Sequence, residues 1–323
     1  MKLSSDQAVG VLRAAAEPTR LRILALLSRE ELAVLELSRI LGQSQPRVSR
    51  HLKLLAEAGL VERFPDGAWV FYRLAPGSPA RGFGEEALAM IDPADATLAR
   101  DAERLAGVAQ ERRAQAQAYF ADNADRWDEI RSLYTAEAQV EAAILAAAGE
   151  GPFDRMVDLG SGTGRMLTLL GDRAKSCVGL DLSRQMLNIA REQASAANLE
   201  QCELRHGDIL ATGLASQETD LVVVHQVLHY LAEPAAAVAE AARLVAPGGR
   251  ALIVDFAPHD LEFLRAEHRH RRLGFSDAEM SAWLAAGGLT APAIETLPPA
   301  SLGGLTVKIW TAERAAARLR RIA

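Results

Sequence analysis

Cysteine is nearly absent. Cys177 and Cys202 are the only two in 323 residues. They lack C-x-x-C spacing, which argues against both a disulfide framework and a thiolate zinc site. No apolar run is long enough to span a bilayer. The opening residues Met1-Lys2-Leu3-Ser4-Ser5-Asp6 hold no apolar stretch and no cleavage signal. The chain therefore reads as cytoplasmic, with no membrane partner. No internal repeat is present, and the Ala-, Glu- and Arg-rich runs are ordinary helix composition, not low-complexity disorder. Histidine offers no metal set. His259, His268 and His270 are loosely spaced, and Arg269, Arg271 and Arg272 alongside them repel a cation. That segment reads as a surface helix or lid, and no metal is expected.

The length allows about two domains, and a hydrophobic content of 49% suits a soluble protein with a real core. The expected division is residues 1–110 and 111–323. Charge is unevenly spread. The first 80 residues carry 11 Lys and Arg against 8 Asp and Glu, a net of +3, which leaves −9 for the rest of a chain whose total is −6. A basic head on an acidic body implies that only the head meets a polyanion.

In the head, residues 17–27 form an amphipathic pattern with Pro18 in the first turn. A short helix over 34–41 follows, then a turn at Gly42-Gln43. A second helix starts after Ser44 and runs over about 45–58. Val48, Leu52 and Leu55 repeat at helical spacing and face the core. The opposite side carries Gln45, Arg47, Ser49, Arg50 and Lys53, a donor-rich face of a size that fits the major groove of double-stranded DNA. Two strand-like runs, 60–64 and 69–74, flank Pro65-Asp66-Gly67-Ala68, a strong hairpin signal. A hairpin directly after a recognition helix is a wing, from which Arg63 and Arg73 can reach phosphates.

On these residues, 17–74 resemble the ArsR-like winged-helix repressors. The resemblance implies a homodimer on a two-fold operator. Metal-sensing members carry paired cysteines in the helix before the turn. Here that stretch is Leu32-Ala33-Val34-Leu35-Glu36-Leu37, so metal sensing is not expected.

Helical composition dominates from 85 to about 148, with one restart at Asp92-Pro93 and Asp92 as the cap. Ala87, Leu88, Ile91, Leu98, Leu105 and Val108 suit packing against a partner helix, the dimer interface that the resemblance implies. Tyr119-Phe120 and Arg126-Trp127-Asp128 precede the first strand of the body. Core packing is the reading favoured for Tyr119 and Trp127, with cover of a ligand cleft as the other role.

The body is built on Met156-Val157-Asp158-Leu159-Gly160-Ser161-Gly162-Thr163-Gly164-Arg165-Met166, which reads as strand, glycine turn and helix start. Gly160 accepts backbone angles barred to other residues, and Gly162 lets a ligand approach the main chain, with free N–H groups of the helix start facing it. A second strand, Cys177-Val178-Gly179-Leu180, ends in Asp181, placed to accept hydrogen bonds from both hydroxyls of a ribose. Strand and helix patterns then alternate from 156 to 246. The run Leu305-Thr306-Val307-Lys308-Ile309-Trp310 reads as a late antiparallel edge strand.

These pieces resemble the class I S-adenosylmethionine-dependent methyltransferases. Residues 158–164 look like the first motif of that family, and Asp181 with Leu182 like its ribose end. Gly207-Asp208-Ile209 looks like the adenine loop, 220–224 like the fourth strand, and Pro247-Gly248-Gly249-Arg250 like the turn before the fifth. The resemblance implies a binding set of Asp158, Gly160, Ser161, Gly162, Gly164, Asp181, Leu182, Gly207, Asp208 and Ile209. His225 and Gln226, which follow the fourth strand, border the sulfonium, while His229 is read as structural. The fold class is thus an α+β winged helix-turn-helix followed by an α/β Rossmann-like domain with a mostly parallel, doubly wound sheet. The expected function is a DNA-binding regulator, read as a repressor, whose operator affinity responds to S-adenosylmethionine or S-adenosylhomocysteine. The alternative is an active methyltransferase carrying a DNA-binding head.

Overall fold

A computed structural model describes residues 3–66, 68–127, 137–299 and 304–316. Gly67 of the hairpin tip and Asp128 lie outside the described residues. The chain divides into two compact units, Met1–Gln115 and Ala116–Ala323.

The first unit opens with α1 (Ser5–Ala15), held at its start by a capping box between Ser4 and Gln7. The sequence reading passed over this helix, which places Val11 and Ala15 in the core. Then come α2 (Pro18–Leu27), β1 (Leu32–Ala33), α3 (Val34–Leu41) and α4 (Gln45–Glu57). The turn between α3 and α4 uses Gly42 at φ +66°, a conformation open to glycine without steric cost. The hairpin is β2 (Val61–Asp66) and β3 (Trp69–Leu74), and β1 adds a third antiparallel strand beside β3. The two-residue strand β1 is too short to read from sequence. It exists because Leu32 and Ala33 pair with Tyr72 and Phe71.

After the wing come α5 (Pro79–Ala89) and the long α6 (Ala96–Asn123). Its start is capped by Asp95, whose carboxylate accepts the N–H groups of Thr97 and Leu98. Asp92, the expected cap, instead accepts the Ala94 N–H in a tight turn. Leu105 and Val108 on α6 are buried in the unit's own core with Ile23, Leu37 and Leu52. Their spacing suits a partner-facing stripe, and the charges beside them explain the difference. Arg22 binds the buried Asp101 through both guanidinium arms, one at 2.8 Å, and Arg112 pairs with Glu30 and Glu36. These pairs turn that face of α6 inward onto α2 and α3.

The second unit holds α7 (Glu137–Ala148), β4 (Phe153–Leu159), α8 (Arg165–Leu170), β5 (Ala174–Asp181), α9 (Arg184–Ala196), β6 (Cys202–His206) and β7 (Thr219–His225). It continues with α10 (Pro234–Leu244), β8 (Val245–Phe256), α11 (Phe263–His268), α12 (Asp277–Ala286), β9 (Ala293–Leu297) and β10 (Val307–Glu313). The sheet order is β6-β5-β4-β7-β8-β10-β9, parallel through β8 and antiparallel at β10 and β9. Side chains alternate across it. Val157, Val222 and Ile253 face one apolar layer with α10 and α12, while Met156, Leu221 and Leu252 face another with α7 and α8. The late strand is not the edge. β10 lies between β8 and β9, and β9, exposed along almost its whole length, forms the rim. No helix among the described residues is long and apolar enough to cross a membrane.

The expectation of no disulfide framework is corrected by one bond. Cys177 and Cys202 are 25 residues apart, yet β5 and β6 place them directly opposite each other, with a Cα–Cα distance of 4.4 Å, and they form a disulfide. Strand register decided this, which short-range spacing does not encode.

Candidate functional site

Two surfaces carry the chemistry, one in each unit. On α4, Val48, Leu52 and Leu55 are fully buried. That orientation leaves Gln45, Arg47, Arg50 and Lys53 exposed, with Ser49 half-buried between them. Arg47 and Arg50 make no internal ion pair among the described residues, and Lys53 makes only a long 3.8 Å contact to Glu57. Arg63 on β2 is exposed as well. Trp69 at the start of β3 is 42% exposed and stacks on Phe71. It joins the wing surface, and its large exposed ring was the signal for it that the sequence reading did not use.

Arg73 departs from the set. Its guanidinium binds Glu62 at 2.9 Å and Glu31 at 3.2 Å, and lies over the Phe64 ring at 4.7 Å. Two carboxylates and an aromatic face engage a cation that the sequence reading gave to phosphate. The pairing follows from register, since Glu62 and Arg73 sit directly opposite on β2 and β3.

In the second unit the loop after β4 is shaped by glycines at three positions. Gly160 has φ +79°, and a Cβ there would lie 2.6 Å from Val227. Gly162 and Gly164 also have positive φ. One expectation is corrected here. The loop amides are not free. Gly160 and Ser161 both donate to the Leu180 carbonyl at 2.8 and 2.9 Å, Gly164 donates to Ser161, and Gly162 donates to the Asp181 carboxylate at 2.9 Å. The loop is thus held open by β5, and it offers a shaped space more than bare donors.

Asp158 and Asp181 meet at this loop. Asp158 is 1% exposed, and among the described residues neither carboxylate oxygen has a hydrogen-bond partner. Burial pushes this acid up to about 7, with the nearby Ser161 hydroxyl pulling the other way and the neighbouring Asp181 charge adding to the rise. Asp181 is half-buried and also raised by burial, against hydrogen bonds from the Ser183 and Gly162 amides. Its second oxygen accepts the Ser183 N–H at 2.7 Å. Leu182 next to it takes His206 Nε2 on its carbonyl at 3.1 Å.

The loop after β6 lies beside them. Gly207 donates to the Asp181 carbonyl at 3.1 Å. Asp208 accepts the Leu210 N–H at 2.9 Å, which gives it a turn role through one oxygen, and Ile209 is buried in the core layer. His225 and Gln226 follow at the end of β7, each 9% exposed. Gln226 has φ +52°, a costly conformation for a residue with a side chain, of the kind that clusters at functional sites. Its N–H is fixed to the Val254 carbonyl at 2.7 Å. Trp127 completes the surround, with its indole nitrogen 3.6 Å from the point a Gly162 Cβ would occupy. Trp127 therefore lies over the glycine loop, in contact with Tyr119 and Phe120.

Sequence reasoning missed one cluster. His229 sits in a short 3-10 turn, Leu228–Tyr230, and its Nδ1 lies 2.8 Å from Asp255 Oδ1. His270, read as surface, is 8% exposed and its ring is 4.2 Å from that of His229. The segment 259–273 folds back over β7 and β8, with Arg271 and Arg272 donating from their backbone to the His229 carbonyl. Among the described residues no group of three or more His, Cys, Asp or Glu is arranged to hold a metal ion.

Comparison with known proteins separates the same two parts. Residues 17–63 match the family model "Bacterial regulatory protein, arsR family", and residues 157–253 match "Methyltransferase domain". The arsenical resistance operon repressor of Escherichia coli is 53% identical over 66 residues, 20% of this chain and 56% of that protein. An arsenic resistance transcriptional regulator of Pseudomonas putida is 47% identical over 70 residues, 21% of this chain and 55% of its own. Demethylmenaquinone methyltransferase of Thermus thermophilus is 32% identical over 144 residues, 43% of this chain and 64% of that enzyme. The chain thus spans a little over half the length of each of these relatives.

Proposed function

We propose that this chain, an ArsR-family helix-turn-helix domain joined to a methyltransferase domain, is a homodimeric transcriptional regulator, acting as a repressor, whose grip on operator DNA responds to S-adenosylmethionine or S-adenosylhomocysteine. Such a regulator suits control of methionine and methyl-cycle genes in the cytoplasm. The observation that carries the ligand reading is Asp158, with two buried carboxylate oxygens and no partner beside the glycine loop. A buried acid without a donor is costly, and the ammonium of the ligand's methionine end would satisfy it. Asp181 would hold the ribose, and Asp208 with Ile209 the adenine. The DNA reading rests on the unpaired Arg47 and Arg50 of α4. The dimer is supported by exposed apolar side chains, Val9 and Leu12 on α1, Phe83 on α5 and Met90 at its C-terminal end.

Regulation requires the ligand to bind the DNA-bound and free forms with different affinity, and linkage makes the effect reciprocal. The test is a titration of a duplex, selected by the protein from a random-sequence pool, with and without each ligand. A shift in midpoint with at least one of them is the expected result. Identical midpoints in all three titrations sink the regulatory reading.

The Asp158 pKa sets a second expectation. In the free protein the acid is protonated below about pH 7 and charged above it. An ammonium needs the charged form, so binding below pH 7 must also expel a proton. S-adenosylhomocysteine affinity should fall by roughly tenfold per pH unit below 7 and level off above it. Isothermal calorimetry across that range checks the slope, which Asp158→Asn should flatten.

A further inference from the structure

We infer that the second unit carries a methyl-acceptor site for a phenolic hydroxyl, with His229 as the proton-accepting catalytic residue and Asp255 as its positioning residue. The inference rests on the reading that the adenosyl ligand occupies the glycine loop.

Asp255 is 0% exposed and accepts three hydrogen bonds. Its oxygens take the Leu228 N–H at 3.1 Å, the Phe256 N–H at 2.8 Å and His229 Nδ1 at 2.8 Å. Backbone N–H groups donate to both oxygens of this acid, which fixes it as the acceptor and His229 Nδ1 as the donor between them. The lone pair of the imidazole is then on Nε2, which makes no hydrogen bond among the described residues. A buried acid that fixes the tautomer of an imidazole is the arrangement that prepares a general base.

The dyad lies beside the ligand loop. His229 follows the carboxyl end of β7, where ligands of open α/β sheets sit, two residues after the Val227 that touches Gly160. A continuous chain of rings links it to the Trp127 cover. Ring centroids run Trp127 to Phe120 at 5.2 Å, Phe120 to Tyr230 at 4.8 Å, Tyr230 to His229 at 4.1 Å and His229 to His270 at 4.2 Å.

The surroundings select a neutral planar molecule. Burial pulls His259 down to about 4 and His270 lower still, with neighbouring imidazoles adding to both. Both rings are therefore uncharged at neutral pH. His259 Nδ1 accepts the Leu261 N–H at 3.2 Å, which leaves a proton on Nε2. That Nε2 and His270 Nδ1 are buried polar atoms with no partner among the described residues. Native interiors rarely leave such atoms unmatched, and a ligand oxygen or hydroxyl would match them. The Tyr230 and Phe256 rings lie 4.1 and 4.9 Å from that of His229 and make its surroundings aromatic. Among the cations nearby, Arg272 is held by Glu279 at 3.1 Å and Arg265 lies 3.3 Å from Glu262. A phenol fits this chemistry, since it is flat, uncharged and carries one acidic proton.

The step balances with S-adenosylmethionine as methyl donor. The phenolic oxygen forms the new O–CH3 bond, the sulfonium C–S bond breaks with its electron pair left on sulfur, and the phenolic proton passes to His229 Nε2. The products are an aryl methyl ether, S-adenosylhomocysteine and an imidazolium held by Asp255.

The test uses the full chain, S-adenosylhomocysteine and 4-nitrophenol, whose anion is coloured. In a buffer below the probe's own pKa, the wild-type complex should show the phenolate absorption band as the probe binds. His229→Asn keeps a side-chain donor for Asp255 but has no base. It should lose the band while binding S-adenosylhomocysteine as the wild type does by calorimetry. With S-adenosylmethionine instead, single-turnover formation of the methyl ether should drop by about 10²–10⁴-fold in His229→Asn. If S-adenosylhomocysteine binds the wild type but the probe gives no band, or if His229→Asn gives the same band, the acceptor site is refuted and the adenosyl reading stands. If S-adenosylhomocysteine itself fails to bind, the adenosyl reading falls and the acceptor site with it.

Discussion

Replacing Asp181 by alanine is expected to abolish the response of operator binding to the adenosyl ligand while leaving DNA binding in its absence unchanged. The residue has two jobs. Its oxygens hold the Gly162 and Ser183 amides at 2.9 and 2.7 Å, which fixes the glycine loop to the start of α9. The remaining acceptor capacity is proposed to take the ribose hydroxyls. A hydrogen bond to a charged group contributes about 1.5–3 kcal/mol, so losing two to the ligand removes about 3–6 kcal/mol, or roughly 10²–10⁴ in affinity. Loosening of the loop adds to that. Calorimetry with S-adenosylhomocysteine gives the affinity, and the duplex titration gives the response. A ligand-dependent midpoint shift in Asp181→Ala equal to that of the wild type would refute the proposed pocket.

Arg50→Ala should do the reverse. The side chain is exposed on α4, free of internal ion pairs, and on the face opposite Val48 and Leu52. A base-edge contact from such a residue is worth about 1–3 kcal/mol, which is roughly 5- to 150-fold in affinity. If Arg50 instead meets a phosphate, the slope of log affinity against log salt should fall by about one. Fluorescence anisotropy over a salt series separates the two. Ligand affinity should match the wild type, because the residue belongs to the other unit. Unchanged duplex binding at every salt concentration would mean that α4 does not read DNA. Arg73→Ala makes a contrast, since its guanidinium is engaged by Glu62 and Glu31. Its loss should act on the stability of the wing more than on phosphate contact.

The disagreements between sequence and structure share a cause. Asp92 and Asp95 are both good caps by composition, and the choice between them follows from where α6 must begin for Asp101 to reach Arg22. Leu105 and Val108 have the spacing of a partner-facing stripe, but α2 and α3 cover them. Cys177 and Cys202 look unrelated until β5 and β6 are set in register. His270 sits among arginines in sequence and beneath Phe256 and His229 in space. In each case the deciding contact joins residues that are remote in the chain, and no local pattern carries that information.

What the amino-acid order determined by itself is local. Glycine at 160, 162 and 164 specifies a turn that other residues resist, the period of Val48, Leu52 and Leu55 specifies which face of α4 is wet, and the strand and helix patterns specify a doubly wound sheet. Such features depend on backbone sterics and on the spacing of apolar side chains over a few turns, so they are written in neighbouring residues. Tertiary structure alone decided which charges are spent and which are left over. It engaged Arg73, closed the loop amides onto Leu180 and Asp181, left Asp158 without a donor, and set His229 against Asp255. Burial and pairing fix the protonation and reach of each group, and both arise only when distant segments pack.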